Sequence, residues 1–177
     1  MPNYRRNRVE GGAYFFTVNL HDRGSDLLVA RIGALRDAVR VTRALHPFHI
    51  DAWVVLPDHM HCLWTLPPRD FDYPLRSQMI KARFSRSVPR PETRRASLVR
   101  KREAGIWQRR YWEHTIRDDQ DYAVHLDYVH FNPVKHGLAA HPADWPFSSF
   151  GRCVTLGLYP QGWAVKGQEP ADAGEPC

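Results

Sequence analysis

Apolar and polar positions change period along the chain, and the changes mark out its elements. Tyr14-Phe15-Phe16-Thr17-Val18-Asn19-Leu20 follows Gly11-Gly12 and is rich in aromatic and β-branched residues, which predicts a strand. Between about Ile32 and Leu45 the apolar residues Leu35, Ala38, Val39 and Leu45 recur at helical spacing, leaving Arg31, Arg36, Arg40 and Arg43 for the other side. That is an amphipathic helix with a basic face, ended by His46-Pro47. Phe48 to Leu56 and Met60 to Leu66 are two apolar runs joined by the turn-forming pair Pro57-Asp58, a hairpin signature. Leu75, Met79, Ile80 and Phe84 predict a second helix that stops before Pro89, because proline cannot continue the hydrogen-bond ladder.

Pro89 to Gly105 is polar, basic and weakly periodic, and is expected to be a mobile connection. Trp107 to Arg117, with Tyr111-Trp112 and Thr115-Ile116, predicts a fourth strand. Asp118 or Asp119 can cap the next helix, Asp121 suits its positive first turn, and Tyr122, His125, Leu126 and Val129 share a face. Asn132-Pro133 is expected to distort or end this helix, and Gly137 suits a left-handed stop just beyond. The tail 167–177 is rich in Gly, Pro and acids and is expected to be disordered. The order βαββαβ plus one helix predicts an α+β, ferredoxin-like or RRM-like sandwich in a single domain, 1–166. An open sheet face in such a fold suits single-stranded nucleic acid, although the fold hosts many activities.

A length of 177 residues, 43% of them hydrophobic and 25% charged, fits one globular domain and excludes a disordered chain. No apolar run approaches the roughly 18–20 residues that span a bilayer, and Met1-Pro2-Asn3-Tyr4-Arg5-Arg6 lacks the apolar stretch of a secretory signal. The expected address is the cytoplasm, with no membrane partner. The formal charge is +6, and from Arg76 to Arg102 ten basic residues face the single acid Glu92. Such a field accumulates phosphates and points to a polyanion, while a solvated basic loop is the alternative. Cys62, Cys153 and Cys177 lack CxxC spacing and read as reduced thiols.

His59-Met60-His61 opens a predicted strand, where period-two alternation projects both imidazoles from one face. That geometry can hold one divalent metal, and it equally suits two hydrogen-bonded histidines at a turn. Tyr128 and Asn132 stand four residues apart and share a face if the last helix persists that far. A phenol there can act as a nucleophile and an amide oxygen one turn on can complete a metal site; a packing tyrosine is the other reading. Trp107, Tyr111 and Trp112 beside Arg109 and Arg110 can stack unpaired bases and hold phosphates, or can be core aromatics under a solvated Arg pair.

The stretches FHIDAWVVLPDHMHCLWTLP, YWEHTIRDDQDYAVHLDYVHFNPVKHGL and DWPFSSF resemble the REP-associated tyrosine transposases, a bacterial branch of the single-tyrosine HUH endonucleases, over roughly Tyr4 to Trp163. The resemblance implies that His59 and His61 are the metal-binding histidines and Tyr128 the nucleophile. Many relatives carry Gln four residues after the nucleophile as a third ligand, where this chain has the shorter Asn132. It further implies Mg²⁺ or Mn²⁺ as cofactor and single-stranded DNA with hairpin repeats as partner, bound by a monomer or homodimer. Cleavage would pass through a 5′-phosphotyrosine link, giving DNA transposition or repeat mobilisation. Arg5 and Arg6 are implied to hold the hairpin, and Arg83, Arg86, Arg109, Arg110 and Lys135 are further candidate DNA contacts. The general base is unassigned, with His125, His130 and Lys135 near Tyr128 in sequence. Two other classes remain: a non-catalytic single-stranded nucleic-acid-binding module, and a histidine-ligated metallohydrolase that would not need Tyr128.

Overall fold

A computed structural model of the chain describes residues 7–91, 100, 104–163 and 173. Four strands, β1 (Ala13–Asn19), β2 (His49–Val55), β3 (His59–Thr65) and β4 (Trp112–Thr115), form one sheet in the order β2-β3-β1-β4. All neighbours are antiparallel, the split arrangement that the βαββαβ order predicts. Between β1 and β2 come the short α1 (Leu27–Ala30) and α2 (Ile32–Leu45); α3 (Tyr73–Ser87) links β3 to β4. After β4 follow α4 (Asp119–Lys135), a 3-10 turn at Pro142–Asp144 and α5 (Phe150–Thr155). Arg5, Arg6, residues 92–99 and 101–103 of the basic connection, and the tail apart from Ala173 lie outside the described residues.

Strand alternation splits the sheet into two unlike faces. Tyr14, Phe16 and Val18 of β1 join Trp53, Val55, Met60, Cys62 and Trp64 beneath α2 and α3, where Leu35, Ala38, Ile80 and Phe84 complete an aromatic-rich core. On the reverse, Phe15, Ala52, Val54 and Leu63 pack against Tyr128 and Val129 of α4. The face expected to be open is therefore covered, because four buried apolar side chains there would otherwise meet water at a cost of about 25 cal/mol per Å². The free edge of β2 is closed too: Val55 N–H donates to the Phe147 carbonyl and Ser149 N–H to the Trp53 carbonyl, both at 2.8 Å.

The last helix does not end at Asn132-Pro133. Pro133 lies inside α4, and its missing N–H removes only one bond of the ladder while the helix continues to Lys135. The stop comes at Gly137, with φ of 67°; Gly137 N–H donates to Val134 O at 3.0 Å and Leu138 N–H to Pro133 O at 2.9 Å. At the other end the Asp118 carboxylate accepts from Asp121 N–H at 2.8 Å, as the capping pattern predicts. Arg76 leaves the basic surface altogether. Its guanidinium is buried, pairs with the Asp70 carboxylate at 2.6 Å and donates to the carbonyls of His46, Pro47 and Asp72. That guanidinium holds the Asp70 carboxyl below the usual range.

Candidate functional site

Antiparallel register places the site. His61 lies opposite Thr17, and His59 opposite Asn19, so both imidazoles project onto the face covered by α4. His59 Nδ1 pairs with the Asp58 carboxylate at 2.7 Å, and His61 Nδ1 with the Thr17 hydroxyl at 2.8 Å. Asp58 also takes Arg23 Nε at 3.1 Å, and Arg23 further bonds the Asn19 side chain. With both Nδ1 atoms held, the coordinating atom of each ring would be Nε2. The rings stand nearly perpendicular, 5.0 Å apart, and His136 from the end of α4 stacks edge-on against His59 at the same distance.

Helix α4 brings the tyrosine and the amide. The Tyr128 ring meets His61 edge-on at 5.3 Å and Phe15 at 5.8 Å, and the residue is 6% exposed. Lys135 Nζ lies 4.7 Å above that ring and donates to the phenol oxygen at 3.3 Å. Asn132, one turn beyond Tyr128, is fully buried, and neither atom of its amide makes a hydrogen bond of good geometry among the described residues. The amide does face His61, whose proton affinity it raises. Burial, reinforced by His59, His136 and Lys135, nevertheless holds His61 well below its ordinary pKa; burial likewise lowers His136. These imidazoles are neutral at pH 7, the form that ligates metals. A cavity of about 280 Å³ opens beside them, bordered by Arg23, Asp58, His59, His136 and Leu138.

A second polar cluster lies on the same face. His114 of β4 with Asp121 and His125 of α4 bring ligand-type atoms within 4.8 Å of one another, a grouping that could hold a metal ion. Asp121 is already engaged: it accepts from His114 Nε2 at 2.8 Å and from Arg117 N–H and Nε at 2.9 and 3.0 Å. Burial opposes its ionisation, but the bonds from Arg117 and His114 win and keep its carboxyl well below the usual range. The His114 and His125 rings stack at 4.5 Å, and Phe15 separates the cluster from His61, touching His125 at 4.9 Å and His61 at 5.7 Å.

Thus His59, His61, Tyr128, Asn132 and Lys135 converge. Arg83 and Arg86 do not: they sit on α3, across the sheet. Arg109 and Arg110 are exposed in the segment before β4. Trp107 and Tyr111 pack against the core of the opposite face, with Trp107 Nε1 donating to the Lys81 carbonyl, whereas Trp112 lies on the site face beside His114. Of the histidines near Tyr128 in sequence, His130 faces Ser149 and Cys153 rather than the phenol, and His125 Nδ1 is bound to the Asp121 carbonyl. Sequence reasoning missed Thr17, Arg23, Asp58 and His136. Asp58 was visible beside His59 but read only as a turn residue; Thr17 needed the strand register.

The topology defines the class as an α+β protein with a ferredoxin-like sheet. No protein-family model matches the chain. It is 46% identical over 164 residues to the REP-associated tyrosine transposase of Escherichia coli K12, covering 93% of this chain and 92% of the relative. A putative REP-associated tyrosine transposase of Haemophilus influenzae is 47% identical over 165 residues, covering 92% and 93%. A solved structure of a REP-associated tyrosine transposase bound to a REP hairpin matches with a TM-score of 0.85 at 45% identity, covering 100% of this chain and 99% of that one. The chain belongs to the REP-associated tyrosine transposases.

Proposed function

We propose that the protein is a metal-dependent single-stranded DNA endonuclease and strand transferase that acts on hairpin-forming repeats through a 5′-phosphotyrosine intermediate. The observation that carries this reading is the meeting of Tyr128 with His61 and Lys135 on one sheet face, in a chain whose solved relative is bound to a REP hairpin. His59, His61 and Asn132 suit a divalent ion: two imidazoles with oriented rings, and a buried amide oxygen that lacks a hydrogen-bond donor among the described residues. When bound there, Mg²⁺ or Mn²⁺ would supply charge neutralisation at a non-bridging phosphate oxygen.

The chain's own residues do the rest. The Tyr128 oxygen attacks phosphorus in line as its proton passes to solvent, the bond to the 3′ oxygen breaks, and that oxygen takes a proton from solvent to leave a 3′-hydroxyl, so that no net proton is gained or lost. Lys135, already donating to the phenol oxygen, stabilises the negative charge that develops as the phenol loses its proton. Asp58 and Thr17 fix the histidine rings. Because one phosphodiester replaces another, a second 3′-hydroxyl can reverse the attack and join strands without ATP. Arg109, Arg110 and Lys135 would meet DNA near this face; Arg5 and Arg6 would hold the hairpin, and Arg83 and Arg86 would act at a distance.

The test is incubation of the protein and Mg²⁺ with single-stranded hairpin repeats from the flanking genome. A free 3′-hydroxyl fragment and a denaturant-resistant protein–DNA adduct are expected. Cleavage without an adduct would favour a histidine-ligated metallohydrolase, and binding without cleavage a non-catalytic module.

A further inference from the structure

Across the sheet from Tyr128, a groove of about 420 Å³ runs between α2, the edge strand β2 and the turn into α5. Its floor is apolar: Leu35 and Val39 from the helix, Trp53 and Val55 from the strand, Phe147 from the edge-closing segment. Its rim is cationic. Arg36, Arg40 and Arg43 stand four and three residues apart along α2, and Arg152 faces them from α5. Among the described residues no carboxylate lines the groove, and only Arg40 of the four has an acidic partner, the exposed Asp37 at 3.2 Å.

Two of these guanidiniums are fixed in place. Arg43 donates to the Phe48 carbonyl at 3.1 Å and lies over the Phe48 ring, while Arg152 donates to the carbonyls of Ile50 and Asp51 at 2.7 and 3.0 Å. Trp53 is 9% exposed and its indole N–H has no hydrogen-bond partner among the described residues.

We infer that this groove is a second DNA subsite, which takes an unpaired nucleotide flanking the hairpin: the base against the apolar floor and Trp53, the phosphates against the arginine rim. An apolar floor that includes aromatic rings, inside a basic rim, is a combination that holds single strands without strict sequence choice. The inference rests on the proposed single-stranded DNA substrate. It adds a contact on the face away from the chemistry, so that the strand leaving the site would be anchored on both sides of the sheet.

The test compares two oligonucleotides, a hairpin with a single-stranded flank and the same stem with blunt ends, on the full chain and on the R36A/R40A and Trp53→Phe variants. Both arginines are exposed and Phe preserves most of the Trp53 bulk, so folding is expected to survive. R36A/R40A should bind the flanked hairpin about three- to tenfold more weakly, with the salt slope of log affinity reduced by about 1.4, or roughly 0.7 for each lost phosphate contact. Binding of the blunt stem, and cleavage at saturating DNA, should not change. An iodinated pyrimidine in the flank should photocrosslink to the peptide containing Trp53. Wild-type affinity and slope in R36A/R40A would overturn the subsite while leaving the proposed function standing. Failure of the wild-type chain to bind any single-stranded DNA would overturn both.

Discussion

The two faces of the sheet are built by alternate residues of the same strands and have opposite characters. Beneath α2 and α3, Tyr14, Phe16, Met60, Cys62 and Trp64 make a core of apolar and aromatic contacts. Under α4, one residue along in each strand, the sheet buries Thr17, His59 and His61, and α4 adds Asp121, His125, His130 and Asn132. The first face stabilises the fold through area removed from water. The second holds polar groups that cost stability when unmatched, and it keeps them in place with Asp58, Thr17 and Arg117. One strand thus serves two environments, an apolar core and a polar cluster, because period two sends neighbouring residues to opposite sides of the sheet.

Removal of both histidines should have the largest effect. His59→Ala with His61→Ala should lower Mg²⁺-dependent cleavage by about a thousandfold or more, since a metal supplies several kcal/mol to the transition state, while the melting temperature changes little. Labelled-strand cleavage and a thermal melt, run side by side, check this. On the other face the pattern should invert: Phe16→Ala should cost about 4 kcal/mol in a denaturant titration and leave the turnover of the folded fraction near wild type. A smaller effect is expected one shell out. Thr17→Val or Asp58→Asn should weaken Mn²⁺ affinity about 10- to 100-fold by loosening the imidazole rings, read by calorimetry.

The smallest effect is on pH dependence. Burial lowers the pKa of His61, His125, His130 and His136, with His130 pushed down to about 3 from 6.5. The unfolded chain therefore binds more protons than the native one below pH 6.5, and stability is lost as pH falls through that window toward 3. Denaturant midpoints between pH 5 and 7 should decline on acidification, and His130→Gln should flatten the slope.

Much of the fold was legible in the sequence because periodicity and punctuation agreed: α2 has the bounds Ile32 and Leu45 that the spacing gives, and Pro57-Asp58 turns the hairpin. Of the two outcomes open at Asn132-Pro133, distortion or an end, the helix does not end there, and packing of Tyr128 and Val129 holds the segment down as far as the left-handed stop that Gly137 signals. The covered sheet face was not legible, since the period of α4 says which residues it buries but not which face of the sheet receives them. Within the site, the convergence of His59, His61, Tyr128 and Asn132 followed motifs that the sequence displays. Arg23 and Thr17 did not, because their roles arise from register and loop closure between residues distant in the chain. Charge alone misassigned Arg76, whose carboxylate and carbonyl partners come from the turns around Asp70 and Pro47.

In the proposed reaction Tyr128 is the nucleophile. Tyr122, six residues earlier on α4, cannot substitute: its hydroxyl donates to Asp51 at 2.9 Å, and burial beside that carboxylate pushes its pKa well up. Mass spectrometry of a trapped, nuclease-trimmed adduct tests the claim most directly. The nucleotide is expected on the peptide containing Tyr128, through its 5′ phosphate, and Tyr128→Phe should bind hairpin DNA while forming no adduct and no cut. A nucleotide on Tyr122, or cleavage by Tyr128→Phe at the wild-type rate, would contradict the account.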